Sequence, residues 1–255
     1  LDEHSALHRF APDVVIIAVH AGDLELPWHT GDPSGAVEAE LARWTGLWER
    51  LRDRTQALVV QHNFVTPAER PLGHLSARLA GSRPRLIQRL NERLADAAGP
   101  GVAILDCEWL SSLVGKRVWF DDGHWHVAKH AVAPRAQATL ARHAAAVLAA
   151  HLGLTRKCVV VDLDNTLWGG VIGEDGLAGI RLGGHDPVGE AFVALQDYLL
   201  ELKDRGLVLA VASKNNEADA VEPFERHPFT RLRLDDFATV VANWEPKTDS
   251  LRTIA

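Results

Sequence analysis

Short apolar runs that break off into polar residues recur along this chain, with helix-patterned stretches between them. No other feature restricts the possible folds as strongly. In the first half the runs are VVIIAVH (14–20), ALVVQHN (57–63) and GVAILD (101–106). Such runs suit parallel strands covered on both faces. Helical patterns fill 36–55 and 83–99; in the latter Leu86, Leu90 and Leu94 recur every four residues and Gly99 offers a stop. An Ala-rich helix over 133–151 ends at HLGL, where Gly153 suits a C-cap. A domain boundary is expected there, giving domains 1–153 and 154–255.

The second half restarts the pattern. Strands are expected at KCVVVDLD (157–164), LVLAVAS (207–213) and FATVVANW (237–244), and helices over 188–206, over 216–225 and from near Thr248. Repeated βα units predict an α/β fold, with a parallel sheet flanked by helices in each domain. The second sheet is expected to be doubly wound, with ligands at the carboxyl ends of its strands.

Composition serves to exclude. No apolar run approaches a membrane span and no signal peptide opens the sequence, so membrane association is not expected. Cys107 and Cys158 are the two cysteines, too few for a disulfide framework, and a reducing cytoplasm is the expected location. A net charge of -7 argues against nucleic acid as a partner. No methionine occurs in 255 residues, so the chain reads as a piece of a longer protein or as one whose modified methionines are missing from the sequence.

All three runs of the second half end in residues suited to a phosphate: Asp162 and Asp164, then Ser213, then Lys247. Two carboxylates one residue apart repel, and their ionisations are coupled. A divalent cation offsets that repulsion, and Mg²⁺ favours one or two carboxylates with phosphate oxygens and water. Asp162 and Asp164 are the expected metal ligands. Asp162, at the strand tip, is placed to attack phosphorus, and Asp164 to protonate the leaving oxygen and later activate water. Thr166, Ser213, Lys214 and Lys247 would hold the phosphoryl oxygens. The competing reading, a plain strand-to-loop turn rich in Asp and Asn, does not account for the serine and lysine at the later strand ends.

DLDNT resembles motif I of the haloacid dehalogenase (HAD) superfamily, VASKN its motif II and NWEPK its motif III. More narrowly, KCVVVDLDNTLWGGVIGEDG, SKNNEADA and NWEPK resemble the FkbH-like subfamily, over residues 156–255. That resemblance implies an enzyme of polyketide pathways that takes a glyceryl unit from 1,3-bisphosphoglycerate, removes phosphate and loads glyceryl as a thioester on an acyl carrier protein. The first half is similar in pattern to the SGNH-hydrolase-like domain that accompanies the family. The resemblance also implies a fourth, acidic motif completing the Mg²⁺ site after the last helix; the sequence ends at Ala255 before it. The alternatives are a HAD-type phosphatase of small metabolites and a non-catalytic docking module.

The stretches from Thr166 to Ser213 and from Ser213 to Lys247 leave no room for a cap domain, so the site is expected to be open, with water excluded by the WGGVIGEDG loop (168–176), the first domain or a docked partner. Glyceryl transfer needs a nucleophile. Cys158 lies within the resembling motif, four residues before Asp162, and is either the acyl carrier or a small buried hydrophobe. Cys107, after the strand GVAILD, is the other candidate. Asp121 and His124 in FDDGHWH have the D-x-x-H spacing of the last SGNH block, but no G-D-S serine block is present, so they activate a thiol or lie in a surface loop. Arg85, Arg89 and Arg93 form a basic stripe, solvated or able to dock an acidic carrier. Trp168, beside Gly169 and Gly170, is expected to wall the site or cover a bound arm.

Overall fold

A computed structural model describes residues 6–255. The chain divides into two compact units, one ending at Gly153 and one spanning Leu154–Ala255. In the first, α1 (Ala6–Phe10), β1 (Val14–Ile17), α2 (Pro33–Arg52), β2 (Leu58–His62), α3 (Arg83–Ala97) and β3 (Val102–Leu105) follow in turn. Four helices complete it: α4 (Cys107–Val114), α5 (Lys116–Trp119), α6 (Asp122–Ala128) and α7 (Pro134–His151).

The three strands pair in parallel in the order β1-β2-β3, with Val15 opposite Val59 and Val59 opposite Val102. Every residue of β2 is buried, and the alternation of a strand sends its side chains to both faces. Val59 packs with Trp44, Trp48, Leu86 and Leu90 of α2 and α3. Leu58 and Val60 pack with Leu110, Trp119 and Ala136 of α4, α5 and α7. Coverage on both faces therefore holds for the central strand. At the edge it is incomplete: Ile16 of β1 is 48% exposed.

The second unit contains β4 (Cys158–Val161), α8 (Ile172–Gly179), α9 (Pro187–Asp204), β5 (Val208–Ser213), α10 (Glu217–Arg226), β6 (Phe237–Ala242) and α11 (Lys247–Ile254). Its parallel sheet runs β4-β5-β6, with Val161 opposite Val211 and Val211 opposite Val240. Leu209 and Val211 pack with Leu163, Trp168, Leu199 and Phe224 in one buried cluster.

The strand order runs consecutively, so the reversal that defines a doubly wound sheet is absent among the described strands. Each crossover steps on by one strand, which is enough to set three carboxyl ends side by side with β5 in the middle. No helix among the described residues is long and apolar enough to cross a membrane.

Two polar devices fix α9. The buried Gln196 amide donates to the Leu167 carbonyl at 2.8 Å and accepts from the Arg231 and Leu232 N–H groups at 2.9 and 3.2 Å. Asp186 caps the helix, accepting from Val188 and Gly189 N–H at 3.2 Å each, and takes a forked bond from Arg181 at 2.6 and 2.7 Å.

The Arg181 bonds, reinforced by the cap, hold the Asp186 carboxyl at about 2. Its folded value lies below the ordinary aspartate value of 3.8, so the stabilisation is present above that value and fades as pH falls toward 2. Asp186→Asn is expected to lower the urea midpoint near neutral pH, with the gap to wild type closing as the solution approaches about pH 2. Urea titrations across that range read it directly.

Candidate active site

The carboxyl end of β4 delivers Asp162 and, one step along the turn, Asp164. The turn is built by residues that do no chemistry. Asn165 adopts φ +55°, and its side chain accepts from Gly170 N–H at 3.0 Å. Gly170 has φ +97°, and a Cβ there would lie 2.6 Å from Asp175 Oδ2, so only glycine closes the loop without strain.

Asp162 is half-buried and draws donors from its own turn, from the end of β5 and from the start of α11. Its Oδ2 accepts from Lys247 Nζ, its Oδ1 from Leu163 N–H at 3.0 Å, and the Ser213 hydroxyl also bonds the carboxylate. Partial burial pushes this carboxyl up, but the Lys247, Leu163 and Ser213 bonds outweigh it, and the group is held below the ordinary aspartate range. Lys247 is the first residue of α11, so the last helix carries its ammonium to the carboxylate.

Asp164 faces a different set of donors. Its Oδ1 accepts from Trp168 Nε1 at 3.0 Å and from Ile172 N–H at 3.1 Å; its Oδ2 accepts from Asn215 Nδ2 at 2.9 Å. Asn215 Nδ2 also lies 3.2 Å from Ser213 Oγ, which joins the two aspartates through one amide. Thr166 is half-buried in the turn, its N–H donating to Leu163 O at 3.0 Å. Lys214 is exposed beside Ser213 and makes no ion pair among the described residues. Asp162, Asp164, Ser213 and Lys247 are thus brought together, while Thr166 and Lys214 lie on adjoining positions without a bond to the carboxylates.

Two features of this site were not read from the sequence. Asn215 sits two residues beyond Ser213, in the bend between β5 and α10. Trp168 is not a wall of the opening. It is fully buried, packs edge-on to Phe224 at 5.7 Å, and orients Asp164 through its indole N–H. An aromatic residue four positions past a carboxylate in a tight turn folds under that turn, and the apolar neighbours Leu163, Leu167 and Ile172 take it into the core.

The WGGVIGEDG segment, expected as a loop, runs into α8, which begins at Ile172. Thr166 to Ser213 holds α8, α9 and β5, and Ser213 to Lys247 holds α10 and β6, with no second sheet in either stretch among the described residues.

The cysteines separate clearly. Cys158 is exposed at the start of β4, which overturns its reading as a small buried hydrophobe. It stands four residues upstream of Asp162, roughly 13 Å at about 3.3 Å per residue. Cys107 is buried, and burial together with the Asp106 charge pushes its thiol up to about 12. It lines a cavity of about 10 Å³ with His20 and His62, room for about one water. Iodoacetamide applied to the folded protein is expected to alkylate Cys158 and spare Cys107, with both reacting after denaturation; peptide mass spectrometry reads the two sites.

Asp121 and His124 do meet, His124 Nδ1 lying 3.1 Å from Asp121 Oδ2. They do so at a helix start rather than in a loop: FDDGHWH enters α6, and Asp121 caps it by accepting from His124 N–H at 3.0 Å. That backbone bond is the main cause holding the Asp121 carboxyl low. The basic stripe is partly consumed within the protein. Arg93 pairs with Glu38 at 2.7 Å, and Arg85 donates to the Ala77 carbonyl at 3.3 Å.

No family model and no curated protein matches the chain. A solved structure does: the N-terminal part of the protein BF1531 from Bacteroides fragilis, containing a phosphatase domain and complexed with Mg. The two are 31% identical with a TM-score of 0.86, over 99% of this chain and 68% of that one. This chain belongs to the BF1531 family. Membership supports a HAD-like phosphatase fold.

Proposed function

We propose that the second unit is a Mg²⁺-dependent phosphatase with Asp162 as its nucleophile. The observation that carries this reading is the convergence of the Lys247 ammonium and the Ser213 hydroxyl on the Asp162 carboxylate. Asp162 accepts from Leu163 on Oδ1 and from Lys247 on Oδ2, with the Ser213 hydroxyl as a third donor, which leaves acceptor capacity for a cation. Asp164 has both acceptor positions of Oδ1 filled and room only at Oδ2. No cluster of three His, Cys, Asp or Glu suited to a metal occurs among the described residues. A pair of carboxylates open to phosphate oxygens and water fits Mg²⁺. The cation would neutralise phosphoryl oxygens and offset the repulsion between the aspartates.

Asp162 attacks phosphorus, the bond from phosphorus to the leaving oxygen breaks, and protonated Asp164 gives that oxygen its proton. Asp164 then takes a proton from water, which attacks phosphorus, releases inorganic phosphate and restores Asp162. Lys247 and Ser213 hold the transferring group, with Lys214 and Thr166 at the margin.

The finer reading is an FkbH-like glyceryl transferase/phosphatase with an SGNH-like first unit. Its support is the run of motifs from KCVVVDLDNT to NWEPK, the exposed Cys158 thiol and the Asp121–His124 pair. The Cys158 thiolate attacks C1 of 1,3-bisphosphoglycerate, a thioester forms and the C1 phosphate leaves. Asp162 removes the C3 phosphate, and thioester exchange passes glyceryl to the phosphopantetheine thiol of an acyl carrier protein. With Cys158 roughly 13 Å from Asp162 along the strand, loading and dephosphorylation are separate events. That distance also favours the second reading, a phosphatase of small metabolites.

Incubation with 1,3-bisphosphoglycerate and Mg²⁺, followed by intact-protein mass spectrometry, separates them. A glyceryl adduct that disappears in Cys158→Ala supports transfer. Phosphate release without an adduct leaves the phosphatase alone. Absence of both, with no release from an aryl phosphate, turns the assignment to a docking module.

A further inference from the structure

The first unit contains a cavity of about 190 Å³ between the segment after β1 and the start of α3. Its walls are apolar: Trp28, Pro67, Pro71, Leu72 and Pro84. Trp28 is 67% exposed and Leu72 43% exposed, so the mouth is open to solvent and edged by an indole face. An apolar cavity of about 150 Å³ is large enough for benzene, which leaves room here for a ring and one small substituent.

One full positive charge lines this cavity without a neutralising partner. Arg83 is half-buried; its guanidinium donates to the carbonyls of Ala21 at 2.8 Å, Leu24 at 3.3 Å and Leu26, and lies 5.5 Å from the Trp28 ring. Those bonds use three of its five N–H groups and supply only partial charges. Among the described residues no carboxylate lies within 4.0 Å of it. Glu40 acts on its charge without pairing with it, and is already occupied by Arg43 at 3.0 Å and Trp44 at 2.9 Å. A charge withdrawn from water without an ion pair is costly, and the N–H groups that the three carbonyls leave over, on Nε and Nη1, can each donate a single charge-assisted bond to a carboxylate oxygen.

We propose that this cavity binds a compact carboxylate carried on a flat aromatic or branched aliphatic body, with the ring against Trp28 and the prolines and the carboxylate toward Arg83. Glu69 and His29 also line the cavity, and Glu69 opposes an anion. Its removal should tighten binding.

Benzoate, benzamide and benzamidinium share one shape and differ in charge, so calorimetric or ligand-observed NMR titration of the full chain with all three tests the assignment. Benzoate should bind about tenfold more tightly than benzamide, the yield of one charge-assisted contact, with benzamidinium weakest. Trp28→Ala, at an exposed position, should weaken benzoate by about tenfold, and Glu69→Gln should strengthen it. Arg83→Gln should abolish the preference among the three, but Arg83 also ties down the 21–26 segment, so the Trp28 and Glu69 variants carry the test if it fails to fold. Equal affinity for the three probes, a preference for benzamidinium, binding indifferent to Trp28→Ala, or no saturation by any probe up to about 20 mM, an affinity of roughly 2 kcal/mol, each overturns the proposal.

Discussion

Asp162→Asn is expected to eliminate Mg²⁺-dependent phosphate release, lowering kcat by about 10⁴-fold or more, as removal of a covalent nucleophile does. The carboxamide keeps the size of the side chain and one acceptor oxygen but cannot attack phosphorus. Fold and stability should survive, because the bond from Lys247 is half-exposed and of small energetic weight. A steady-state assay with an aryl phosphate, paired with circular dichroism, distinguishes lost chemistry from lost structure. Asp164→Asn should differ in kind. Attack by Asp162 can still occur on a substrate with a good leaving group, while water activation is lost, so a phosphorylated protein should accumulate. Intact mass spectrometry would show a mass increase on Asp164→Asn and none on Asp162→Asn. Equal activity of Asp162→Asn and wild type would remove the nucleophile assignment.

Trp168→Ala carries the largest expected stability effect. The side chain is 0% exposed, meets Phe224 edge-on at 5.7 Å and belongs to the cluster that also contains Leu163, Leu167, Leu199 and Val211. Truncating a buried tryptophan costs about 3–5 kcal/mol through lost transfer energy and the cavity left behind. Trp168→Phe separates the two roles of the residue. It keeps most of the packing but removes the donor to Asp164 Oδ1, so the stability loss should be smaller than for alanine. Activity should still fall, since Asp164 is then held by Ile172 N–H and Asn215 alone. Urea denaturation gives the first quantity and kcat on an aryl phosphate the second. If Trp168→Phe were fully active, the indole N–H would have no part in orienting the acid.

The strand-and-helix alternation was legible because each apolar run is short and ends in polar residues, which leaves a parallel α/β arrangement as the economical fold. The order of strands was not. Nothing in the composition of a run says whether the next crossover steps onward or doubles back, and the second sheet steps onward. Edge positions were also hidden: Cys158 lies in an apolar run yet is exposed, because it begins an outer strand. In the site, Asp162 and Ser213 were legible because each stands at the end of a strand, where backbone geometry sets the side chain at the rim, and Lys247 because it follows the third apolar run, although it opens α11 rather than closing β6. Asn215 and Trp168 act through the direction their side chains take in turns, which residue spacing does not encode. The segments WGGVIGEDG and FDDGHWH read as loops because glycines and polar residues dominate them. Both enter helices whose first turns are fixed by local bonds, such as the Asp121 cap.

Every donor seen on Asp162 and Asp164 comes from residues of the second unit, while the apolar cavity with its lone guanidinium belongs wholly to the first. Mutational drift can therefore reshape what the first unit recognises without touching the groups that make and break bonds to phosphorus. Descendants of such a chain are free to diversify in ligand preference while inheriting one reaction unchanged.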